Sequence, residues 1–276
     1  MPRFDPPPER VALESLLSPN PNGRSACAFD PEPLTEGIVH IWRVDLGQLR
    51  DTDVSPADAL ADEERERGER LRTETLRRRF ALSRGLLRCI LGRYLQQAPE
   101  RIRFRYGAQG KPELAEQTRH GTPAFNLSHS RDQWALAIGA CGTLGIDIEC
   151  WRPLRALEAL AARCLADEEF AVWSRLPADQ QGAALFRLWT LKEAFLKGVG
   201  CGISVGLRQC AFDPLASPPR LLRCPESLSQ SPAAKDWSFV ELDMAPDCSG
   251  AVASDQAITT LREYRLEVRS DAPLRQ

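Results

Sequence analysis

Gly145-Ile146-Asp147-Ile148-Glu149 alternates apolar and acidic side chains with the period of an extended strand. Ile146 and Ile148 turn to a core behind, while Asp147 and Glu149 project together from the opposite face. Two carboxylates this close repel each other, so the pair is costly unless a cation sits between them. With oxygen ligands alone on offer, the cation to expect is hard, Mg²⁺ before Mn²⁺ or Ca²⁺. The competing reading leaves one carboxylate in solvent, paired with a surface arginine.

The flanks add strands and two strong helices. Upstream stand residues 125–130 (Phe-Asn-Leu-Ser-His-Ser), an apolar strand over 134–139 and a tight glycine turn, so neighbouring strands meet near one cleft. Before them, residues 101–106 alternate as a strand, and the turn over 107–112 presents Lys111 beside the stiffening ring of Pro112, a fixed point charge suited to phosphate. Residues 113–124 read as a polar loop. Residues 37–44 read as a strand from which His40 faces outward. Ser55 and Pro56 open a helical stretch, and Leu76, Phe80, Ser83, Leu87, Ile90 and Tyr94 mark one face of a long helix. Its other faces carry ten arginines between Arg65 and Arg93, either laced to Glu63, Glu64, Glu66, Glu69 and Glu74 or, for a few at one end, ready for phosphate. Downstream, residues 151–183 read as helices, and 186–199 as a second strong helix. There Trp189, Glu193 and Lys197 stack at successive turns, a spacing that also suits a simple surface ion pair. Short strands over 207–212, 237–242 and 250–253 follow.

Composition narrows the class. The chain has 276 residues with 36 Lys and Arg against 38 Asp and Glu, so no basic field argues for nucleic acid. Nine scattered cysteines, an odd number without a Cys-x-x-Cys pair, point to reduced thiols and away from a disulfide framework or a zinc site. No apolar run is long enough for a membrane span, and a cytoplasmic location is expected. Residues 1–36 read as a Pro-rich disordered leader, and 261–276 as a tail. The order of elements predicts an α+β fold with two halves of related layout, 37–143 and 144–260.

Four blocks occur in one order: Gly110-Lys111-Pro112, residues 125–130, residues 145–149, and Trp189-Thr190-Leu191-Lys192-Glu193-Ala194-Phe195-Leu196-Lys197. Together they resemble the 4′-phosphopantetheinyl transferases of the surfactin-synthetase-activating type, over roughly residues 37 to 255. The resemblance implies a monomer of two pseudo-two-fold halves, each a small, mostly antiparallel sheet packed with a long helix. It implies transfer of the phosphopantetheine arm of coenzyme A to a serine of an apo acyl or peptidyl carrier protein, with release of adenosine 3′,5′-bisphosphate. By the same resemblance Asp147, Glu149 and Glu193 hold Mg²⁺, with Mn²⁺ as a substitute, and Glu193 takes the serine proton. Lys197 then steadies the diphosphate, joining Glu193 and Asp147 as the catalytic set. Arg67, Lys111, Pro112, Asn126, Ser128 and His129 are the implied contacts of coenzyme A. Two other readings use the same residues: a Mg²⁺-dependent nucleotide pyrophosphohydrolase or nuclease, and an RNA-binding or docking module on the Arg-rich helix.

Overall fold

The structure is a computed structural model that describes residues 3–4, 7–17, 29–49, 59–107, 109–115, 122–151, 154–202, 206–229 and 237–267. The strands run β1 (Arg3–Phe4), β2 (Glu9–Ala12), β3 (Ile38–Asp45), β4 (Phe104–Tyr106), β5 (Pro112–Leu114), β6 (Ala124–Ser130), β7 (Gln133–Gly139), β8 (Leu144–Cys150), β9 (Ala211–Phe212), β10 (Leu221–Arg223), β11 (Ser238–Glu241), β12 (Cys248–Ser254) and β13 (Thr260–Glu267). Among the helices used below are α1 (Leu13–Leu17), α2 (Asp62–Glu69), α3 (Glu74–Leu95), α4 (Leu157–Cys164), α5 (Asp167–Trp173) and α6 (Ala178–Val199). The Ser55–Pro56 helix start lies outside the described residues.

The fold is α+β, stacked in four layers. β1, β13, β3, β7 and β6 form one sheet in that order, with β2 also on β13, while β11, β12 and β8 form a second. Helix α3 covers the first sheet through Leu82, Leu86, Leu87 and Ile90 against Trp42, Val44, Trp134 and Leu136. Helix α6 covers the second through Leu188, Leu191 and Phe195 against Ala251, Ala253 and Phe239. Between the sheets, Val39, Ile41, Ala135 and Ala137 meet Ile146, Ile148, Val240 and Val252. Ile146 and Ile148 therefore face the neighbouring sheet, and Asp147 and Glu149 lie on the α6 side, as the alternation required.

Both long helices span 22 residues. Thr73 caps α3 by accepting from the Leu76 N–H, and Gly200 ends α6 in the left-handed region at φ 83°. The arginines of α2 and α3 are spent largely on the protein. Arg70 pairs with Glu66, Arg77 with Glu74, and Arg88 with buried Glu64 at 2.6 Å. This use weakens the RNA-binding reading, which needs them outward and free of carboxylates.

Four expectations are corrected. The leader is not disordered over residues 9–17: β2 pairs in parallel with β13, and Val11, Leu13 and Leu16 are buried. Arg93 of α3 donates to the Ser15 and Leu16 carbonyls, tying α1 down; the surrounding prolines hid a short apolar segment that needs a distant sheet edge to order it. The tail from 261 is likewise a strand as far as Glu267. It lies beside β3, with Leu261, Tyr264 and Leu266 buried, so the chain crosses back from its second half into the first sheet. His40 faces inward. β3 is covered on both sides, and the His40 Nδ1 shares a hydrogen with the Tyr94 hydroxyl at 2.8 Å. Burial, then the Arg262 charge, lowers its pKa to about 4, keeping the imidazole neutral.

The fourth correction concerns the thiols. Cys150 and Cys248 stand opposite each other in the β8–β12 pairing and are joined as a disulfide across 98 residues of sequence. Sequence spacing gave no hint, because strand pairing alone makes them neighbours. Replacing both by serine is expected to lower the unfolding free energy by roughly 2–5 kcal/mol. Urea denaturation with and without a dithiol reductant measures this; parent protein whose nine thiols all alkylate without reductant would exclude the bond.

Candidate active site

β8 and α6 meet more closely than helices and sheets usually do, because Gly145 has no side chain. A Cβ there would lie 1.9 Å from the Ala194 carbonyl oxygen and 2.5 Å from the Gly198 nitrogen. This contact lowers the last turns of α6 onto the acidic face of β8. Lys197 donates to Asp147 Oδ1 at 2.7 Å and to Ser128 Oγ at 3.0 Å. Glu193, one turn earlier, is 4 % exposed, as is Asp147.

The three carboxylates oppose one another's ionisation. Burial pushes Glu193 up to about 7, with Asp147 and Glu149 acting in the same sense and Lys197 against it. Burial also raises Asp147, offset by Lys197 and Ser128. It raises Glu149 too, where a hydrogen bond from Ser130 opposes it and the Asp147 charge adds to it. Asp147 Oδ2 and Glu193 Oε1 are buried without a hydrogen-bond partner. Such orphaned oxygens fit a hard cation, and all the available donors are oxygen. As they stand, however, no three His, Cys, Asp or Glu side chains among the described residues are gathered closely enough to hold a metal. The Lys197 ammonium supplies the positive charge beside Asp147.

β6 runs along the open edge of β8 and meets it through side chains. Asn126 Oδ1 accepts from the Ile146 N–H at 2.9 Å, Ser128 Oγ from Ile148 at 3.3 Å and Ser130 Oγ from Cys150 at 3.0 Å. Asn126 is thus spent on strand pairing, and what it touches does not support a role as a coenzyme contact. Ser128 also donates to Asp147 Oδ1 at 2.9 Å, so it serves the acidic cluster.

His129 points the other way along β6, exposed on the side of α3. The protein packed against its ring lowers its pKa, and the Lys197 and Arg79 cations act in the same sense. Nearby on α2 and α3, Arg67 and Arg84 stand over the Phe80 ring, their Cζ atoms 5.7 and 5.9 Å from its centre. Arg84 Nη1 is buried and has no hydrogen-bond partner. Arg67, Arg84 and Phe80 thus form a basic lobe on α2 and α3, while the Lys197 and Arg79 charges reach His129 on β6. Arg67, which the resemblance implies as a coenzyme contact, stands in this lobe over Phe80. The resemblance implies adenine contacts near Arg84 and Phe80 without fixing the residues, and the packing of α2 against α3 brings these two to Arg67.

Lys111 departs from expectation. Its ammonium donates to the Leu144 carbonyl at 3.0 Å and the Gly198 carbonyl at 3.1 Å, bracing the start of β8 against the end of α6. Burial lowers its pKa. The charge is held by backbone and not offered to a phosphate, while Pro112, half-buried, opens β5 beside it. Ser130 was missed, although it repeats Ser128 two residues on and therefore shares its face.

The profile of the 4′-phosphopantetheinyl transferase superfamily matches residues 143–261. The 4′-phosphopantetheinyl transferase HetI of Nostoc sp. is 37% identical over 216 residues, 78% of this chain and 86% of that protein. The 4′-phosphopantetheinyl transferase psf-1 of Bacillus pumilus is 37% identical over 147 residues, 52% of this chain and 60% of that protein. AcpT of Salmonella typhi, of the same description, is 40% identical over 114 residues, 41% of this chain and 56% of that protein. The matched span holds Asp147, Glu149, Glu193 and Lys197, and with that likeness over most of its length the chain belongs to the 4′-phosphopantetheinyl transferases, a family of enzymes.

Proposed function

We propose that this chain moves the 4′-phosphopantetheine arm of coenzyme A onto a serine of an apo acyl or peptidyl carrier protein, with Mg²⁺ bound by Asp147, Glu149 and Glu193. The serine oxygen forms a bond to the phosphorus next to the pantetheine, the bond from that phosphorus to the bridging oxygen breaks, and adenosine 3′,5′-bisphosphate departs. Glu193 receives the serine proton. The observation that carries this is the geometry where α6 meets β8: Glu193 and Asp147 are buried, each with one carboxylate oxygen unpartnered, and Lys197 reaches Asp147 at 2.7 Å. Lys197 faces the same space and steadies charge on the diphosphate. His129, Arg67 and Arg84 hold the peripheral phosphate, and Phe80 packs beside the nucleotide. A cation among the carboxylates would neutralise the phosphoryl oxygens.

We further read the chain as the two-halved, monomeric, surfactin-synthetase-activating type, with pseudo-two-fold halves over 37–143 and 144–260. A 22-residue helix lying on a sheet in each half supports this, with the strands inside each half, β3–β7–β6 and β11–β12–β8, paired antiparallel. A single chain holding both lobes of the site supports a monomer.

The test is the intact mass of an apo carrier protein after incubation with this enzyme, coenzyme A and Mg²⁺. A gain of one phosphopantetheine, absent with Asp147→Ala, is expected. Coenzyme A cleaved while the carrier stays unmodified would replace the transferase reading with the pyrophosphohydrolase.

A further inference from the structure

We propose that Ser130 is the positioning residue for Glu149. The inference rests on the reading that Glu149 binds a cation. An edge strand presents a row of backbone N–H groups that need acceptors. Along β8 they are met by a comb of three side chains from β6, each accepting from the residue 20 positions ahead: Asn126 from Ile146, Ser128 from Ile148, Ser130 from Cys150. The teeth differ in what they have left to give. A serine hydroxyl that accepts from an N–H still carries one proton to donate.

The two serines spend that proton on the residue 19 positions ahead, and in both cases it is a carboxylate. Ser128 donates to Asp147 Oδ1 at 2.9 Å and Ser130 to Glu149 Oε2 at 2.7 Å. The same offset from Asn126 reaches Gly145, which has no side chain to orient, and there the tooth is an amide. Hydroxyls thus stand on β6 where the facing strand carries an acid. The two acids differ in one respect. Asp147 also has the Lys197 ammonium, whereas Glu149 is half-buried and Ser130 is the partner that the geometry gives it. By holding one oxygen, Ser130 fixes the carboxylate plane and leaves the second oxygen for a ligand.

The test uses the full chain with saturating coenzyme A and no carrier, titrated with Mn²⁺ and followed by electron paramagnetic resonance, alongside thermal melts. Ser130→Ala is expected to weaken Mn²⁺ binding about tenfold, and Ser130→Thr, which keeps the hydroxyl, to restore it. In the transfer assay the concentration of Mg²⁺ for half-maximal rate should rise in Ser130→Ala, while KM for coenzyme A holds. Unchanged Mn²⁺ affinity in Ser130→Ala overturns the proposal. So does a loss that threonine fails to restore, which would place the effect outside the hydroxyl. Parent enzyme that binds coenzyme A yet takes up no Mn²⁺ overturns the cation reading itself, and the proposal with it.

Discussion

Gly145→Ala is expected to unfold or disable this enzyme although it adds only one methyl group. The new Cβ would meet the Ala194 carbonyl oxygen at 1.9 Å and the Gly198 nitrogen at 2.5 Å. Both are backbone atoms of α6, so no rotamer change relieves the overlap. The helix cannot tilt away cheaply either, because Lys192 ties it from behind to Glu169 and to the Cys164 carbonyl. Overpacking a rigid core costs about 1–3 kcal/mol and occasionally more, and a helix backbone pressed on a central contact belongs at the upper end. A loss of about 3 kcal/mol should lower Tm by roughly 6–12 °C. Any α6 that does settle will stand off β8, separating Lys197 from Asp147, and transfer should fall further than stability alone explains. Thermal denaturation together with initial transfer rates measures both effects. A parent-like melting curve with full activity would mean that α6 does not rest on β8 through these two glycines.

Glu193→Gln should have two effects of opposite sign. As the proposed proton acceptor, Glu193 is expected to carry a rate factor on the order of 10²–10⁴. In stability the substitution should be a gain. The folded pKa of about 7 lies above the ordinary value of 4.5, so the native state binds this proton more tightly than the unfolded chain does. The stabilisation is complete below about pH 4.5 and is lost as pH rises through about 7, where the ionised carboxylate faces Asp147 and Glu149. Glutamine removes that repulsion. Without divalent cations, Glu193→Gln should therefore exceed the parent in stability above neutrality, by on the order of 1–2 kcal/mol after solvent screening. Near pH 5 the two should converge. Chemical denaturation from pH 5 to 8.5, in chelator, tests the stability arm. A variant that still transfers at the parent rate would move the base elsewhere, and one destabilised at pH 8 would mean that Glu193 is not held against its neighbours.

A buried ion pair supports this helix from behind. Lys192, adjacent to Glu193 and fully buried, donates to the Cys164 carbonyl at 2.8 Å and pairs with Glu169. Glu169 in turn accepts from the Ala166 and Phe212 N–H groups. Helices α4, α5 and α6 and strand β9 are thereby joined at one point. Charges so placed are costly alone and are kept by being fully paired. The motif with Glu193 and Lys197 thus carries its own anchor one residue before the glutamate.

Much of the site could be read along the chain. The strand 145–149 and the helix 186–199 announced themselves by period, and period is a local property: each residue's direction follows from its neighbours' dihedral angles. That suffices to say that Asp147 and Glu149 share a face and that Glu193 and Lys197 lie a turn apart. It says nothing about which faces meet. Whether Lys111 reaches a phosphate or two carbonyls depends on the packing of β8 against α6. The β6 comb exists only because β6 lies along the edge of β8, so Asn126 reads as a ligand in sequence and as a strand partner in space. His40 looked outward because alternation assumes one exposed face, and a central strand between two layers has none. Cys150 and Cys248 became partners through β8–β12 pairing. The leader and the final strand order themselves on each other across more than 250 residues, where apolar burial is gained only after the whole sheet is assembled. Local geometry therefore determined the chemistry each element can present, and long-range packing alone decided which groups would face one another.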